Sequence, residues 1–342
     1  RRHDLRRHQR DPGDRPAAAQ DPARWRRSPA AAAGRSRRRT GRRCAGRARE
    51  TVGVIGALQI EEPNSKEVLP HEQTTPKAKT DRLDLTRATQ ANLSPIWGLS
   101  LTPQLSTALV EPGELLGAFT DENGVQHIVE RVSNRARCAV VSKLIAQNPV
   151  VIADGHHRYA ISRTYRDENA QLASAKSTLC YINELIDEQL SVAAIHRLYS
   201  DVETGSLLTQ LAKFFDITDL PTLTPAIIAK MSQDNHLTFV APTGQAKSLK
   251  PKSEMFTGVR NLDSVFLEHA LADIEKSVSY QHGFSEVTAQ LKTGKHTAAI
   301  LIRPVSVSEI QRTAAEGLLM PPKSTFFTPK LQTGLVIRPL AN

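Results

Sequence analysis

Apolar residues along this chain fall into short runs that switch between the period of a strand and that of a helix. The run Val52-Gly53-Val54-Ile55-Gly56-Ala57-Leu58-Gln59-Ile60 predicts a strand, as do residues 125–132, 150–152, 178–185 and 190–198. A helix is predicted from about Asp81 to Ala91, with Thr80 as its N-cap and Ser94-Pro95 as its stop. Another covers 135–147, with Val140, Val141, Leu144 and Ile145 on its apolar side. Beyond Asp201 the predicted helices at 207–215, 226–231 and 265–274 interleave with strands at 236–240 and 297–302. Ser306-Val307-Ser308-Glu309 is a capping box that opens a last helix. Interleaved strands and helices predict an α/β class, with mixed α+β as the variant, and a two-part globular core of 51–200 and 201–342.

Charge changes the picture of the first fifty residues only. Of a net charge of +10, residues 1–50 carry +12, from 17 Arg, no Lys and 5 acids; the remaining 292 residues hold 28 basic and 30 acidic side chains. Leu5 and Trp25 are the large apolar residues of that segment, too few for a core, so composition predicts disorder across 1–50. Arginine without lysine amid Ala, Pro and Gly reads as a GC-rich gene in the wrong frame. A nucleic-acid-binding arm and a transit peptide are the other readings. The folded core, being slightly acidic, is not expected to bind nucleic acid. No apolar run reaches the roughly 18 residues of a membrane span, and a cytoplasmic location is expected. Cys44, Cys138 and Cys180 form neither a disulfide framework nor a zinc motif, and the last two read as buried core thiols.

The densest chemistry lies in Val150-Val151-Ile152-Ala153-Asp154-Gly155-His156-His157-Arg158-Tyr159. A core strand there runs into an Asp-Gly turn, and a helix can start at His156. Such a junction attracts anions, because the first helical N–H groups lack internal partners and the helix dipole is positive there. Gly155, His156, His157 and Arg158 are the candidate phosphate ligands, Arg158 in bidentate fashion, with Asp154 as cap or proton acceptor. The plainer reading makes Asp154 a helix cap and pairs Arg158 with a local acid such as Asp167.

Two other segments carry candidate groups. In residues 70–82, Lys77, Lys79 and Arg82 can hold phosphates ahead of a helix start, and His71 or Glu72 can take a proton from a hydroxyl. In residues 320–330, Lys323-Ser324-Thr325 has the residue types of a P-loop, but Pro321 and Pro322 have no N–H groups to cradle a phosphate; Lys323 and Ser324 remain candidates to line a pocket. A protein-held metal is not expected, because adjacent His156 and His157 cannot easily turn both rings to one ion. Magnesium carried by a nucleotide needs only one or two carboxylates.

The segments HEQTTPKAKTDRLDLTRATQANLSPIWGL, VVIADGHHRYA with YRDE, and LMPPKSTFFTPK with TGLVIR resemble the signatures of the bacterial and archaeal family called domain of unknown function 1015, over about Thr51 to Leu340. The family's Pro-Pro-Tyr-Asp type N-terminal motif is not matched. The box Ala153 to Tyr159 is also similar to the nucleotide box of the ParB/sulfiredoxin superfamily, which includes free-serine kinases. That resemblance implies nucleotide phosphate (ATP, ADP or CTP, with Mg²⁺) on Gly155, His156, His157 and Arg158, and a substrate such as serine. The expectation is a phosphotransferase acting on a small hydroxylated metabolite. In it Glu72, His71 or Asp154 acts on the hydroxyl, and Lys77 and Lys323 neutralise charge. A non-catalytic nucleotide switch and a metal-dependent hydrolase are the alternatives.

Overall fold

The computed structural model describes residues 33–44, 47–63, 65–70, 80–221 and 223–341. Its first half holds strands β1 (Ala33–Cys44), β2 (Arg47–Gln59), β3 (Val68–Pro70), β4 (Ala91–Asn92), β5 (Ile96–Ser100), β6 (Glu114–Thr120), β7 (Val125–Val132), β8 (Val150–Asp154) and β9 (Ser177–Glu184). With them are helices α1 (Thr80–Thr89), α2 (Leu105–Ala108), α3 (Arg135–Ile145) and α4 (His156–Glu168). The second half adds β10 (Ser191–Ala193), β11 (Ile195–Ser200), β12 (Phe215–Leu220), β13 (Leu237–Val240), β14 (Ala246–Pro251), β15 (Ser277–His282), β16 (Ala298–Leu301), β17 (Phe326–Thr328) and β18 (Arg338–Pro339). Its helices are α5 (Thr204–Phe214), α6 (Ile227–Asp234), α7 (Asp263–Ala270), α8 (Phe284–Lys292) and α9 (Val307–Glu316). The class is mixed α/β, as the interleaved pattern predicts.

Eight strands form the first sheet in the order β3-β8-β5-β9-β2-β1-β7-β6. Its central strands read as unbroken apolar runs because both faces are covered. On one face Val54, Leu58, Ile152 and Ile182 pack against Cys138, Val141 and Ile145 of α3 and Tyr159 of α4. On the other, Ile55, Trp97, Val151 and Tyr181 pack against Val307, Ile310 and Ala314 of α9 and against Phe327. Burial of Cys138 and Cys180 follows, and burial drives the Cys180 thiol far above its ordinary pKa. The apolar side of α3 is centred on Cys138, Val141, Ser142 and Ile145. Val140, expected on it, is 54% exposed, because a step of 100° per residue carries it off a face centred on 138, 141 and 145.

Strand β1 stands in this sheet between β2 and β7. Residues 1–32 lie outside the described residues, but β1 pairs antiparallel with β2 (Arg38 opposite Thr51) and with β7 (Ala33 opposite Val132). Composition reports which side chains can be buried. A strand inserted between two others is held by backbone N–H and C=O groups that every non-proline residue carries.

The second sheet is antiparallel, in the order β12-β14-β13-β16-β11-β15. Leu207, Leu211, Phe266 and Leu267 cover one face, and Ile227, Met231, Val287 and Leu291 the other. After α9 the chain returns to the first half. There β17 pairs with β10, β18 pairs with β4 of the first half, and Leu340 N–H donates to the Gln90 carbonyl at 2.7 Å. Among the described residues no helix is long and apolar enough to cross a membrane.

Candidate functional site

Strand β8 is buried from Val150 to Ala153 and delivers Asp154 to its end. Gly155 then turns the chain with φ +92°, a left-handed conformation that L side chains avoid, and α4 starts at the next residue. A Cβ on Gly155 would also lie 2.8 Å from both Nε and Nη2 of Arg158, so glycine is required by backbone and by space. Helix α4 is fixed from below by Tyr159, whose buried hydroxyl accepts from the Glu61 N–H at 2.8 Å, and by Tyr165. The first intrahelical bond of this turn runs from Tyr159 N–H to the Gly155 carbonyl, so the N–H groups of His156, His157 and Arg158 lie ahead of the helical ladder. Sequence and structure agree on the local path here: a strand, a glycine turn and a helix start.

The side chains depart from the plainer reading. The N-cap of α4 is Gly155, with no side-chain cap bond, so Asp154 does not cap the helix. Arg158 does not pair with Asp167, which is held by Arg166 at 2.7 Å. Arg158 folds back over Gly155 and donates through Nη2 to Asp154 Oδ2 at 2.8 Å, while Lys330 Nζ donates to Asp154 Oδ1 at 2.7 Å. Burial pushes the Asp154 carboxyl up, but Lys330 and Arg158 outweigh it and hold the group below its ordinary value. Two cations on one carboxylate, at the positive end of a helix, leave a surplus of positive charge. The Nε of Arg158 is buried and has no hydrogen-bond partner among the described residues.

Lys330, not Lys323, therefore completes the cluster. The side chain of Lys323 is exposed and its residue has φ +60°, while its carbonyl accepts from Arg197 Nη1 at 3.0 Å. Ser324 is 1% exposed and its hydroxyl donates to the Pro321 carbonyl at 2.7 Å, a fixed internal bond. The signal that could have found Lys330 was present. It stands in the same Phe-Phe-Thr-Pro-Lys run as Phe326, whose ring lies 4.5 Å from its Nζ.

His71, Glu72 and Lys77 lie outside the described residues. The segments that flank them border the site. Strand β3 runs parallel to β8 with Pro70 opposite Ile152, two residues short of Asp154. Helix α1 packs beside α4, with Arg87 bound to Glu168 at 2.5 Å. Between these two helices a cavity of about 90 Å³ opens, lined by Arg82, Asn92, Arg158, Ser162, Thr178 and Thr333 among others. Arg158 thus touches the carboxylate of Asp154 and forms part of the cavity wall. Among the described residues no group of three His, Cys, Asp or Glu side chains could hold a metal ion.

No curated protein matches this chain. Similar solved structures include a conserved hypothetical protein from Pyrococcus furiosus, 12% identical, with TM-score 0.43, over 82% of this chain and 94% of that one. A free serine kinase in complex with AMP is 12% identical, with TM-score 0.44, over 82% and 90%. SbnI with a C-terminal truncation from Staphylococcus aureus is 12% identical, with TM-score 0.46, over 83% and 87%. Residues 37–265, which begin inside β1 and include the Asp154 turn and α4, match the model of the family described as "Protein of unknown function (DUF1015)", and the chain belongs to that family.

Proposed function

We propose that the protein is a nucleotide-dependent phosphotransferase acting on a small hydroxylated metabolite. The observation that carries this reading is the meeting of Arg158 and Lys330 on Asp154 at the N-terminus of α4. Phosphoryl transfer asks little covalent chemistry of a protein. It asks for donors and cations where negative charge gathers. The N–H groups of His156, His157 and Arg158 face one side of a phosphate group, the Arg158 guanidinium is bidentate by geometry, and Lys330 adds a point charge. The left-handed turn at Gly155 keeps a side chain out of that space. Asp154 holds both cations in place and is the described carboxylate positioned to take a hydroxyl proton or to carry a divalent ion. Bound Mg²⁺ would supply charge neutralisation on the phosphates. His71, Glu72 and Lys77 join the same site in this reading, as proton acceptors and a cation, since β3 and α1 bring the chain to its border on both sides.

A nucleotide switch needs the phosphate site alone. An enzyme also needs room for an acceptor, and the cavity that shares Arg158 favours the enzyme. Calorimetric titration with ADP, ATP and CTP in the presence of Mg²⁺ tests the reading. A hydrogen bond to a charged group contributes roughly 1.5–3 kcal/mol, so Arg158→Ala lowers nucleotide affinity by about 10- to 150-fold. Arg158→Lys rescues it in part, because it restores charge without the planar fork. Unchanged affinity in the Ala variant removes the phosphate site from this turn.

A further inference from the structure

Two cations reach one carboxylate at the α4 turn, and they reach it from different elements. Arg158 of α4 donates through Nη2 to Asp154 Oδ2 at 2.8 Å, and Lys330, past β17, donates through Nζ to Oδ1 at 2.7 Å. Each oxygen of Asp154 thus serves one cation. For Arg158 the match is incomplete. A guanidinium fork takes two oxygens of one anion side by side, yet Asp154 meets Nη2 alone, and the buried Nε beside it has no hydrogen-bond partner among the described residues. A buried donor left without an acceptor is costly. A phosphate group has three terminal oxygens, enough to meet Nε and Nη2 together and to leave one for Lys330.

The guanidinium lies against the turn itself, since a Cβ on Gly155 would stand 2.8 Å from Nε and from Nη2. The Asp154 carboxylate therefore stands between the same two cations that the proposed site turns toward phosphate. Strand β8 is buried through Ala153 and fixes the backbone there, whereas the side chains of Asp154, Arg158 and Lys330 are all partly exposed. They can change partners without opening the core, and screened ion pairs of this kind are weak. A singly charged anion that replaced the carboxylate would exchange like for like. A doubly charged phosphate brings the larger charge and the missing acceptor for Nε.

We propose that Asp154 is a built-in competitor for phosphate: in the free protein its carboxylate holds Arg158 and Lys330 together, and phosphate binds by displacing it from both. This rests on the phosphate site proposed above and adds its regulation. Phosphate affinity is then lower than the two cations alone would give, reduced by the fraction of molecules in which they are free of Asp154.

Calorimetric titration of the full chain with inorganic phosphate and with ADP, both without Mg²⁺, reads this competition. Asp154→Asn is isosteric and keeps the fold, which a melting curve checks. It tightens phosphate and ADP by about 2- to 30-fold, the range for removing two partly exposed ion pairs. In a Lys330→Met background the same substitution gains less, about 1.4- to 5-fold, because one of the two pairs is already gone. Nitrate, with a single charge, binds the wild type more weakly than phosphate does. Phosphate binding that is weaker or unchanged in Asp154→Asn overturns the proposal, as does nitrate that binds the wild type as tightly as phosphate. An equal gain in both backgrounds also overturns it, because that is the result of simple repulsion by a nearby carboxylate. If neither the wild type nor Asp154→Asn binds phosphate or ADP, the phosphate site itself falls and the competitor with it; binding by the wild type without the gain in Asp154→Asn overturns the competitor alone.

Discussion

Asp154 shows how a single residue can be placed correctly by sequence and yet be misjudged in its partners. The Asp-Gly dipeptide after three β-branched apolar residues marks the turn, but a chain position does not say which cation will reach the carboxylate from 176 residues away. Lys330 does so, and the Lys323-Ser324 pair next to two prolines does not. The consequence is a pH dependence with a definite sign. The folded-state pKa of Asp154 is below the ordinary aspartate value of about 3.9, so its contribution to stability is complete above that value and is lost as the pH falls through the folded-state pKa. Asp154→Asn keeps an acceptor but removes the charge. Its side chain is 32% exposed, so two screened ion pairs contribute roughly 0.4–2 kcal/mol together. Urea unfolding at neutral pH should show the variant less stable by that amount, with the gap closing in acid. A gap that stays constant into acid would mean that the carboxylate's charge contributes nothing.

Elements with a strong local signal were legible, and those defined by their neighbours were not. Strand β2, helix α3 and the capping box before α9 follow from periodicity and caps; the Ser306 hydroxyl accepts from the Glu309 N–H at 3.2 Å, as the box requires. Strands β6, β12, β14 and β15 carry few buried residues and give little periodic signal, because an edge or half-exposed strand is specified by the partner that offers it a ladder. Strand β1 is the clearest case. Its partners in the ladder are β2 and β7. Deleting residues 1–32 leaves that ladder intact, whereas deleting 1–44 leaves facing backbone groups of β2 and β7 without partners. Each buried unsatisfied group costs about 1–3 kcal/mol, and several together exceed the roughly 5–15 kcal/mol that holds a domain. The longer deletion should therefore abolish cooperative unfolding by circular dichroism, and the shorter should not. Equal cooperativity in both would mean that the ladder through β1 contributes nothing to the fold.

Over the whole molecule, the stretch after α9 ties the two sheets together and crosses the candidate site on its way. Its Lys323 carbonyl is bound by Arg197 of β11, and Phe326 stacks on His282 of β15 with ring centroids 4.1 Å apart. Then β17 pairs with β10, Phe327 packs on Trp97, and Lys330 reaches Asp154. Farther on, Gln332 donates to Asp121 at 3.1 Å and Thr333 meets Ser94. The same run thus contributes a cation to the α4 turn and a hydroxyl to the cavity wall. On the proposed phosphate site, an incoming phosphate would compete with Asp154 for Lys330, and ligand binding and the seating of this strap would then draw on one interaction. Lys330 is 43% exposed, and an exposed pair contributes about 0.2–1 kcal/mol, enough to alter local opening but not the global fold. Lys330→Ala should accordingly speed amide hydrogen exchange at Lys330, Leu331, Gln332 and Thr333 by up to about fivefold. The β13–β16 ladder should keep its protection, since Lys330 makes no contact there. Nucleotide at saturation should slow exchange over the same four residues in the wild type and do so less in the variant. Exchange that is equal in both proteins, with and without nucleotide, would mean that the strap is seated by β17 and Phe327 alone and that Lys330 serves neither fold nor site.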